Sequence, residues 1–401
     1  METRNRRSWR QPPVGRNGSS CARLFSELAE RFDPDALGLS TTRSVARLRE
    51  RDGVECDVEI TRRAARLIPL GPRRPDSLIT ADASTWTDLA ANLTSGMEAY
   101  RDGRLKVRGN LHVGVGFLAA TARTRGPERL LFRHVRTSQG NVSILTAGRG
   151  EPVLFMHGLG ATKASFLPSI AALADRHRCI AMDLPGFGDS DKPIFAPYDA
   201  EFFGRWGVAV LDALEIDRAH VVGHSLGGRA AIEFGLQRPD RVTRLVLMMP
   251  SLAWRRSRPW APWLRLVRPE LGVLQLTPRL FVERFLDWLL PDDASEWAAA
   301  GKDEFLRSFM TPAGRAAFYA AARQIYLEEP DGPRGFWSRL SGLAMPSLFI
   351  WGKKDRLVPL AFQRHVSAIL PTSRHLELDC GHVPQLERPR EVHAAIRRFL
   401  G

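Results

Sequence analysis

The sequence predicts an α/β fold: a mostly parallel sheet with helices on both faces and an inserted helical cap, preceded by a small α+β domain. Three observations carry this reading. Short apolar runs alternate with helix-length segments through residues 126–401. That alternation stops between Met249 and Ser347 and then resumes. A separate period-2 pattern stands near residue 55, well before the first of those runs.

With 401 residues, 44% of them hydrophobic, the chain can fill two cores of ordinary size. Cys21, Cys56, Cys179 and Cys380 show neither metal-ligand nor disulfide-framework spacing, which predicts a reduced, cytoplasmic setting and no metal site. No secretory apolar run opens the chain, and 18 uninterrupted apolar residues occur nowhere, so no membrane span is expected. The net charge of +14 is spread out: residues 1–125 hold 22 Lys and Arg against 15 Asp and Glu, which is +7, leaving +7 elsewhere.

Residues 1–20 read as a disordered basic tail, since six arginines face one acid in the first 25 residues. Such a tail touches anionic surfaces weakly, but no nucleic-acid-binding motif accompanies it and no nucleic-acid partner is expected. Residues 21–125 read as separately folded. Val54–Ile60 alternates apolar and acidic residues, a strand with one buried face. In Asp82–Thr94, Trp86, Leu89, Ala90 and Leu93 fall on one helical face, with Asp82 or Ser84 as N-cap. A strand and a glycine-punctuated apolar segment follow, LKVRGNLHVGVGFLAA.

The Trp-bearing helix, then Gly96–Leu105, then Val107-Arg108-Gly109-Asn110 resembles the C-terminal half of the sterol-carrier-protein family. That resemblance implies a sheet-and-helix shell around an apolar tunnel and a lipid ligand for residues 21–125.

Through residues 126–401 the expected strands are Leu130–Arg136, Val142–Ala147, Val153–Met156, Cys179–Asp183, His220–Gly223, Leu245–Met249, Ser347–Trp351 and Arg374–Leu378. Ser165–Ala174, Ala200–Leu214, Leu226–Leu236 and Arg390–Phe399 supply helices over the sheet. In such sheets ligands bind at the carboxyl ends of the strands. The gap in the alternation, about residues 251–340, is rich in Trp, Arg, Leu and Pro and reads as the cap. Its tryptophans Trp254, Trp260, Trp263, Trp288, Trp297 and Trp337 suit packing of the cap onto the sheet or an apolar pocket. Aromatic and basic residues interleave over Trp254–Trp260, as at a surface that makes weak peripheral membrane contact.

Gly223-His224-Ser225-Leu226-Gly227 ends an apolar strand and opens a helix, the setting of a nucleophile elbow. Alone, G-x-S-x-G arises by chance in about one chain in seven of this length. Its strand–turn–helix setting is what gives it weight. A serine hydroxyl is a poor nucleophile without a base, and the base needs a partner to hold its tautomer. Asp355 follows the strand ending at Trp351, and His382 follows the next. The catalytic residues are therefore read as Ser225, Asp355 and His382, in that chain order. Backbone N–H groups of Leu159, in His157-Gly158-Leu159-Gly160, and of Leu226 are the expected oxyanion donors. His157 and His224 read as structural.

These tracts, with Asp183–Asp191, WGKKD and GHVPQLERP, resemble the α/β-hydrolase family over residues 126–401. The resemblance implies a capped pocket, no metal and no organic cofactor, and makes Asp183, Gly186 and Gly188 structural turn residues. Some members carry the acid one strand earlier, but Met248–Leu252 holds no carboxylate. Members that open epoxides or remove halide use aspartate as nucleophile; serine at 225 indicates acyl transfer.

The reading that follows is a serine hydrolase cleaving (thio)esters of small apolar or lipid-like substrates through an acyl-enzyme. Carbon–carbon bond hydrolysis and acyl transfer to another acceptor are alternatives on the same scaffold. A lipid-transfer protein with a non-catalytic hydrolase domain is the rival from another class.

Overall fold

The computed structural model describes residues 20–401 apart from 92, 124–125, 255–260, 267, 275–277 and 290–295. The tail at 1–19 and most of the Trp254–Trp260 stretch therefore lie outside the described residues.

The first unit comprises α1 (Ser20–Glu30), β1 (Arg43–Glu50), β2 (Glu55–Thr61), β3 (Ala65–Ile68), β4 (Ser77–Ala81), α2 (Ala83–Ala91), α3 (Leu93–Arg101), β5 (Leu105–Gly109) and α4 (Leu111–Thr121). Its five strands run in the order β3-β2-β1-β4-β5, with only β1 and β4 parallel. The expected helix is present, and Asp82 Oδ1 accepts the Thr85 N–H at 2.8 Å as its cap. Trp86 is buried edge-on against Phe25, and its Nε1 donates to the Arg49 carbonyl at 3.1 Å.

The glycine-punctuated segment is a helix, α4. Asn110 caps it by accepting from Val113 N–H, and all eleven of its residues are buried. A helix buried on every side has no polar stripe, so no 3.6-residue period marks it in the sequence.

The second unit begins with β6 (Leu131–Arg136), β7 (Asn141–Ala147), β8 (Glu151–Met156), α5 (Leu167–Leu173), β9 (His177–Met182), α6 (Ala200–Ala213), β10 (Ala219–His224), α7 (Leu226–Gln237) and β11 (Val242–Met248). Helices α8 (Arg279–Leu289), α9 (Glu296–Phe309), α10 (Pro312–Leu327) and α11 (Phe336–Leu340) fill the interruption. It closes with β12 (Ser347–Gly352), α12 (Phe362–Ile369), β13 (Arg374–Leu378), α13 (Pro384–Glu387) and α14 (Pro389–Leu400).

Every strand expected here is present. The sheet order is β13-β12-β11-β10-β8-β9-β7-β6, parallel from β13 through β9, with β7 and β6 antiparallel at the edge. Strands β10 and β12 are buried along their whole length, which is why they read as unbroken apolar runs. Each buried Val, Leu or Phe there stabilises the fold by about 1.5–3 kcal/mol.

Residues 21–125 read as separately folded, yet their apolar core is continuous with that of the large sheet from Phe25 to Leu400. Arg129 ties the two units together. It donates to Asp33 at 2.6 Å and to the Ala119 and Ala120 carbonyls at the end of α4. No open tunnel of the kind implied for residues 21–125 is present among the described residues there; only a small cavity is. The apolar cavity lined by Leu89, Met97, Leu111 and Val115 measures about 20 Å³, roughly one water. Trp297 of α9 and Leu167 of α5 line it as well, and Trp297 packs on Tyr100 at 4.4 Å.

Among the described cap tryptophans, Trp254 and Trp337 pack against Phe362, whereas Trp263 is 70% exposed. Among the described residues, no helix is long and apolar enough to cross a membrane.

Candidate functional site

The strand–turn–helix at β10–α7 forces Ser225 into φ 52°, ψ −115°, a region most side chains avoid. Tertiary bonds hold it there. Ser225 N–H donates to the Met248 carbonyl at 3.0 Å, and its own carbonyl accepts from Ser251 N–H at 2.9 Å. The turn also demands glycine at 227, where a Cβ would lie 2.0 Å from the Met156 carbonyl oxygen.

Three sequence-predicted residues meet at the carboxyl ends of β10, β12 and β13. Ser225 Oγ is 3.0 Å from His382 Nε2, and His382 Nδ1 is 2.8 Å from Asp355 Oδ2. Asp355 is fully buried and His382 nearly so. The second Asp355 oxygen accepts from Leu357 N–H at 2.7 Å and Val358 N–H at 3.0 Å, so its rotamer is fixed on both sides. Nδ1–H facing a carboxylate leaves Nε2 free to accept the Ser225 proton, which is the geometry general-base activation needs.

Beside this relay, His157 and His224 organise backbone. His157 Nδ1 donates to the Gly158 carbonyl at 2.8 Å while Nε2 accepts from Leu184 N–H at 2.9 Å. In a trans peptide the C=O and N–H point oppositely, so pinning the Gly158 carbonyl aims the Leu159 N–H the other way. Leu226 is the first residue of α7, and its N–H has no partner within the helix.

His224 Nε2 donates to the His382 carbonyl at 2.7 Å, bracing the loop that carries the base. Burial, reinforced by the neighbouring His382, pushes His224 down to about 3. Burial likewise pushes His157 down to about 4. Both are therefore neutral at pH 7 and serve as fixed hydrogen-bonding groups.

Asp183 lies at the base of this loop system. It accepts the Lys163 backbone N–H at 2.7 Å and Lys163 Nζ at 2.6 Å, and both side chains are buried. Burial pushes its carboxyl up, but Lys163, His157 and the Asp189 N–H together hold it below the usual range. Asp183 thus has the structural role read for it. Its partner Lys163, and the neighbouring Asp189, were not singled out by sequence; the only local signal was that Asp189 is the second acid of the Asp183–Asp191 tract.

The cover is aromatic. Phe318 packs edge to face on Phe305 and Phe309, Tyr319 does so on Phe309, and these rings of α9 and α10 cluster with Val282 and Leu286 of α8. At the other end, Arg229 on the first turn of α7 is buried between Glu233 and Glu328 and lies 4.6 Å over the Phe336 ring. Arg339 completes the group on Glu233 at 2.7 Å. These bonds fasten the end of α10 and all of α11 to the nucleophile's helix.

Comparison with known proteins gives the same scaffold. The family model described as the alpha/beta hydrolase fold matches residues 151–389. A 2-hydroxy-6-oxononadienedioate/2-hydroxy-6-oxononatrienedioate hydrolase of Cupriavidus pinatubonensis is 31% identical over 274 residues, covering 64% of this chain and 89% of that one. A 2-hydroxymuconate semialdehyde hydrolase of a Pseudomonas species is 30% identical over 263 residues, covering 63% and 88%. Among solved structures, a hydrolase from Pseudomonas aeruginosa superposes with a TM-score of 0.58 at 25% identity, over 67% of this chain and 98% of that one.

Proposed function

The chain belongs to the alpha/beta hydrolase family, and from that premise we propose a serine hydrolase in which Ser225 attacks a substrate carbonyl. His382 takes the serine proton and returns it to the leaving group, Asp355 orients the imidazole, and the Leu159 and Leu226 N–H groups receive the oxyanion. The observation that carries this is the continuous relay from Ser225 Oγ through His382 to the doubly braced Asp355.

The leaving group we assign is carbon. Support comes from the relatives named for 2-hydroxy-6-oxo-dienedioates and for 2-hydroxymuconate semialdehyde. In the 2-hydroxy-6-oxo compounds a ketone is conjugated through a diene to an enol. Once a proton has moved onto C5, attack on the C6 carbonyl breaks the C5–C6 bond and releases a stabilised dienolate, and water then frees the acid. The ester reading, drawn from the triad, the Trp- and Leu-rich cap and the upstream lipid-binding resemblance, thereby becomes second. It retains one observation in its favour, the aromatic cover of Phe305, Phe309 and Phe318.

Lipid binding by residues 21–125 has no support: the family match covers residues 151–389, and the apolar cavity beside α4 measures about 20 Å³. Division of the chain at residues 20 and 125, with a cap at about 251–340, belongs to the hydrolase proposal and is supported by the two separate sheets.

The test is a substrate panel: a 2-hydroxy-6-oxo-2,4-dienoate, p-nitrophenyl acetate and octanoate, and an acyl thioester, each with native and Ser225→Ala protein. The dienoate is expected to exceed the esters at least tenfold in kcat/KM, with the alanine variant inactive. Ester turnover without dienoate turnover overturns the carbon leaving group; no turnover and no fluorophosphonate labelling of Ser225 overturns the enzyme reading.

A further inference from the structure

Helix α9 of the cap touches both units of the molecule. Trp297, in its first turn, packs on Tyr100 of α3. Further along, Asp303 accepts from Arg108 Nε at 2.7 Å, from Arg108 Nη2 at 3.2 Å and from the Gly109 N–H at 2.9 Å. Glu304 Oε1 accepts the Leu111 N–H at 2.6 Å, so a carboxylate from the cap satisfies one of the open donors at the start of α4. Arg307 bridges Glu304 at 2.9 Å and Asp189 at 2.9 Å. Asp189 in turn lies 3.1 Å from His112 Nδ1 of α4 and 3.6 Å from Lys163 Nζ.

Between these polar anchors sits Phe305. Its ring covers Gly160 of the oxyanion loop so closely that a Cβ on Gly160 would lie 2.3 Å from it. Asp303, Glu304 and Asp189 are 8%, 4% and 7% exposed, so a shift of α9 would strand buried carboxylates without partners. That cost holds the helix, and with it the ring, at one height over the loop.

We propose that the N-terminal unit positions cap helix α9, and through Phe305 sets the oxyanion loop Gly158–Gly160, which makes Asp303 and Glu304 positioning residues for the reaction. The inference rests on the serine-hydrolase reading for its activity readout but not for its structural one.

Full-length Asp303→Asn, Glu304→Gln and the milder Arg108→Gln test this at a temperature well below melting. Turnover of p-nitrophenyl acetate is normalised to sites titrated with a fluorophosphonate. Expected is a five- to tenfold fall in kcat with KM within twofold, and no further fall when Phe305→Ala is added to Asp303→Asn. Amide hydrogen exchange at Leu159–Ala161 is expected to quicken at least tenfold in the same variants. Lowered melting with unchanged kcat and unchanged exchange means a purely structural interface and overturns the proposal. Quickened exchange in a protein whose serine never labels upholds the positioning while the hydrolase reading fails. If the Asn and Gln variants at 303 and 304 do not fold, Arg108→Gln, whose partner Asp303 keeps its Gly109 bond, gives the same two readouts.

Discussion

At the floor of the site, Ser225, Asp355 and His382 each stand just beyond a strand end, and short-range bonds such as Leu357 and Val358 N–H to Asp355 fix their geometry. Over the cover the bonds reach much further along the chain: Arg229 to Glu328 spans 99 residues, Arg307 to Asp189 spans 118, and Arg108 to Asp303 spans 195. Local turns mark where the floor residues stand, although tertiary bonds such as Ser225–His382 join them, whereas no local turn marks the partners of the cover. The chemistry a scaffold performs is thus written in short motifs, and the volume it acts on is not.

The sharpest way to break the floor alone is Asp355→Asn. Asparagine keeps an oxygen for the Leu357 and Val358 N–H groups, so folding should change by less than about 1 kcal/mol. Its amide would face His382 Nδ1 and favour the wrong tautomer, for which a fall of about 10⁴ in kcat is expected. Paired kinetics and urea unfolding check both halves, and a large loss of stability would show that the floor is not locally held.

Lys163 tests the joint between the regions. It follows the oxyanion loop and pairs with buried Asp183, and through Asp189 it meets Arg307 of the cap. Lys163→Met leaves Asp183 charged, buried and unpaired, so urea unfolding should show a loss of about 3–5 kcal/mol. Lys163→Met combined with Asp183→Asn, which removes the charge and keeps a side-chain oxygen for the backbone N–H groups at 163 and 189, should recover much of that loss; failure to recover would place the cost in Asp189 and the cover.

The same contrast decides what was legible in the sequence. Strands β6–β13 were readable because their apolar runs are short and bounded by turns. The Ser225, Asp355 and His382 positions were readable because each follows such a run. Helix α4 escaped because a helix buried all round has no periodic face. Lys163, Asp189, Arg229 and Arg307 escaped for another reason. Each looks like an ordinary surface charge until the fold supplies its partner, and no local spacing announces Asp183 for Lys163, 20 residues on, or Glu328 for Arg229 and Asp189 for Arg307, 99 and 118 residues away. Residues 21–125 read as a separate domain because their strand pattern is self-contained, but the shared core forms through α4 and Arg129.

Acid unfolding should separate the regions by pH. His157 is lowered to about 4 by burial, against 6.5 for an unfolded histidine, so the unfolded chain binds the proton first. Its contribution is fully present above pH 6.5 and is lost as pH falls toward 4, about 3 kcal/mol in all. His224, lowered to about 3, loses stability through the same window and a little below it. Asp183 and Asp189 are held below 3.8, Asp189 well below it by Arg307, His112 and Lys163 despite its burial, so their share is lost only under pH 3.8. Urea midpoints should therefore slope between pH 6.5 and 4, and His157→Asn should flatten that slope. An unchanged slope would mean that the floor histidines are not held neutral.

The smallest effect belongs to Trp337, at the root of the cap far from α9. Its Nε1 donates to the buried Ala253 carbonyl at 3.0 Å, and its ring lies between Phe336 and Phe362. Trp337→Phe keeps most of the packing and leaves the carbonyl unpaired, so unfolding should become easier by about 1–2 kcal/mol. Turnover should stay within twofold, because this root does not touch the ring over Gly160. A larger fall in kcat would mean that the Arg229 and Asp303 anchorages act as one, and that the cap moves as a rigid piece from its root to the oxyanion loop.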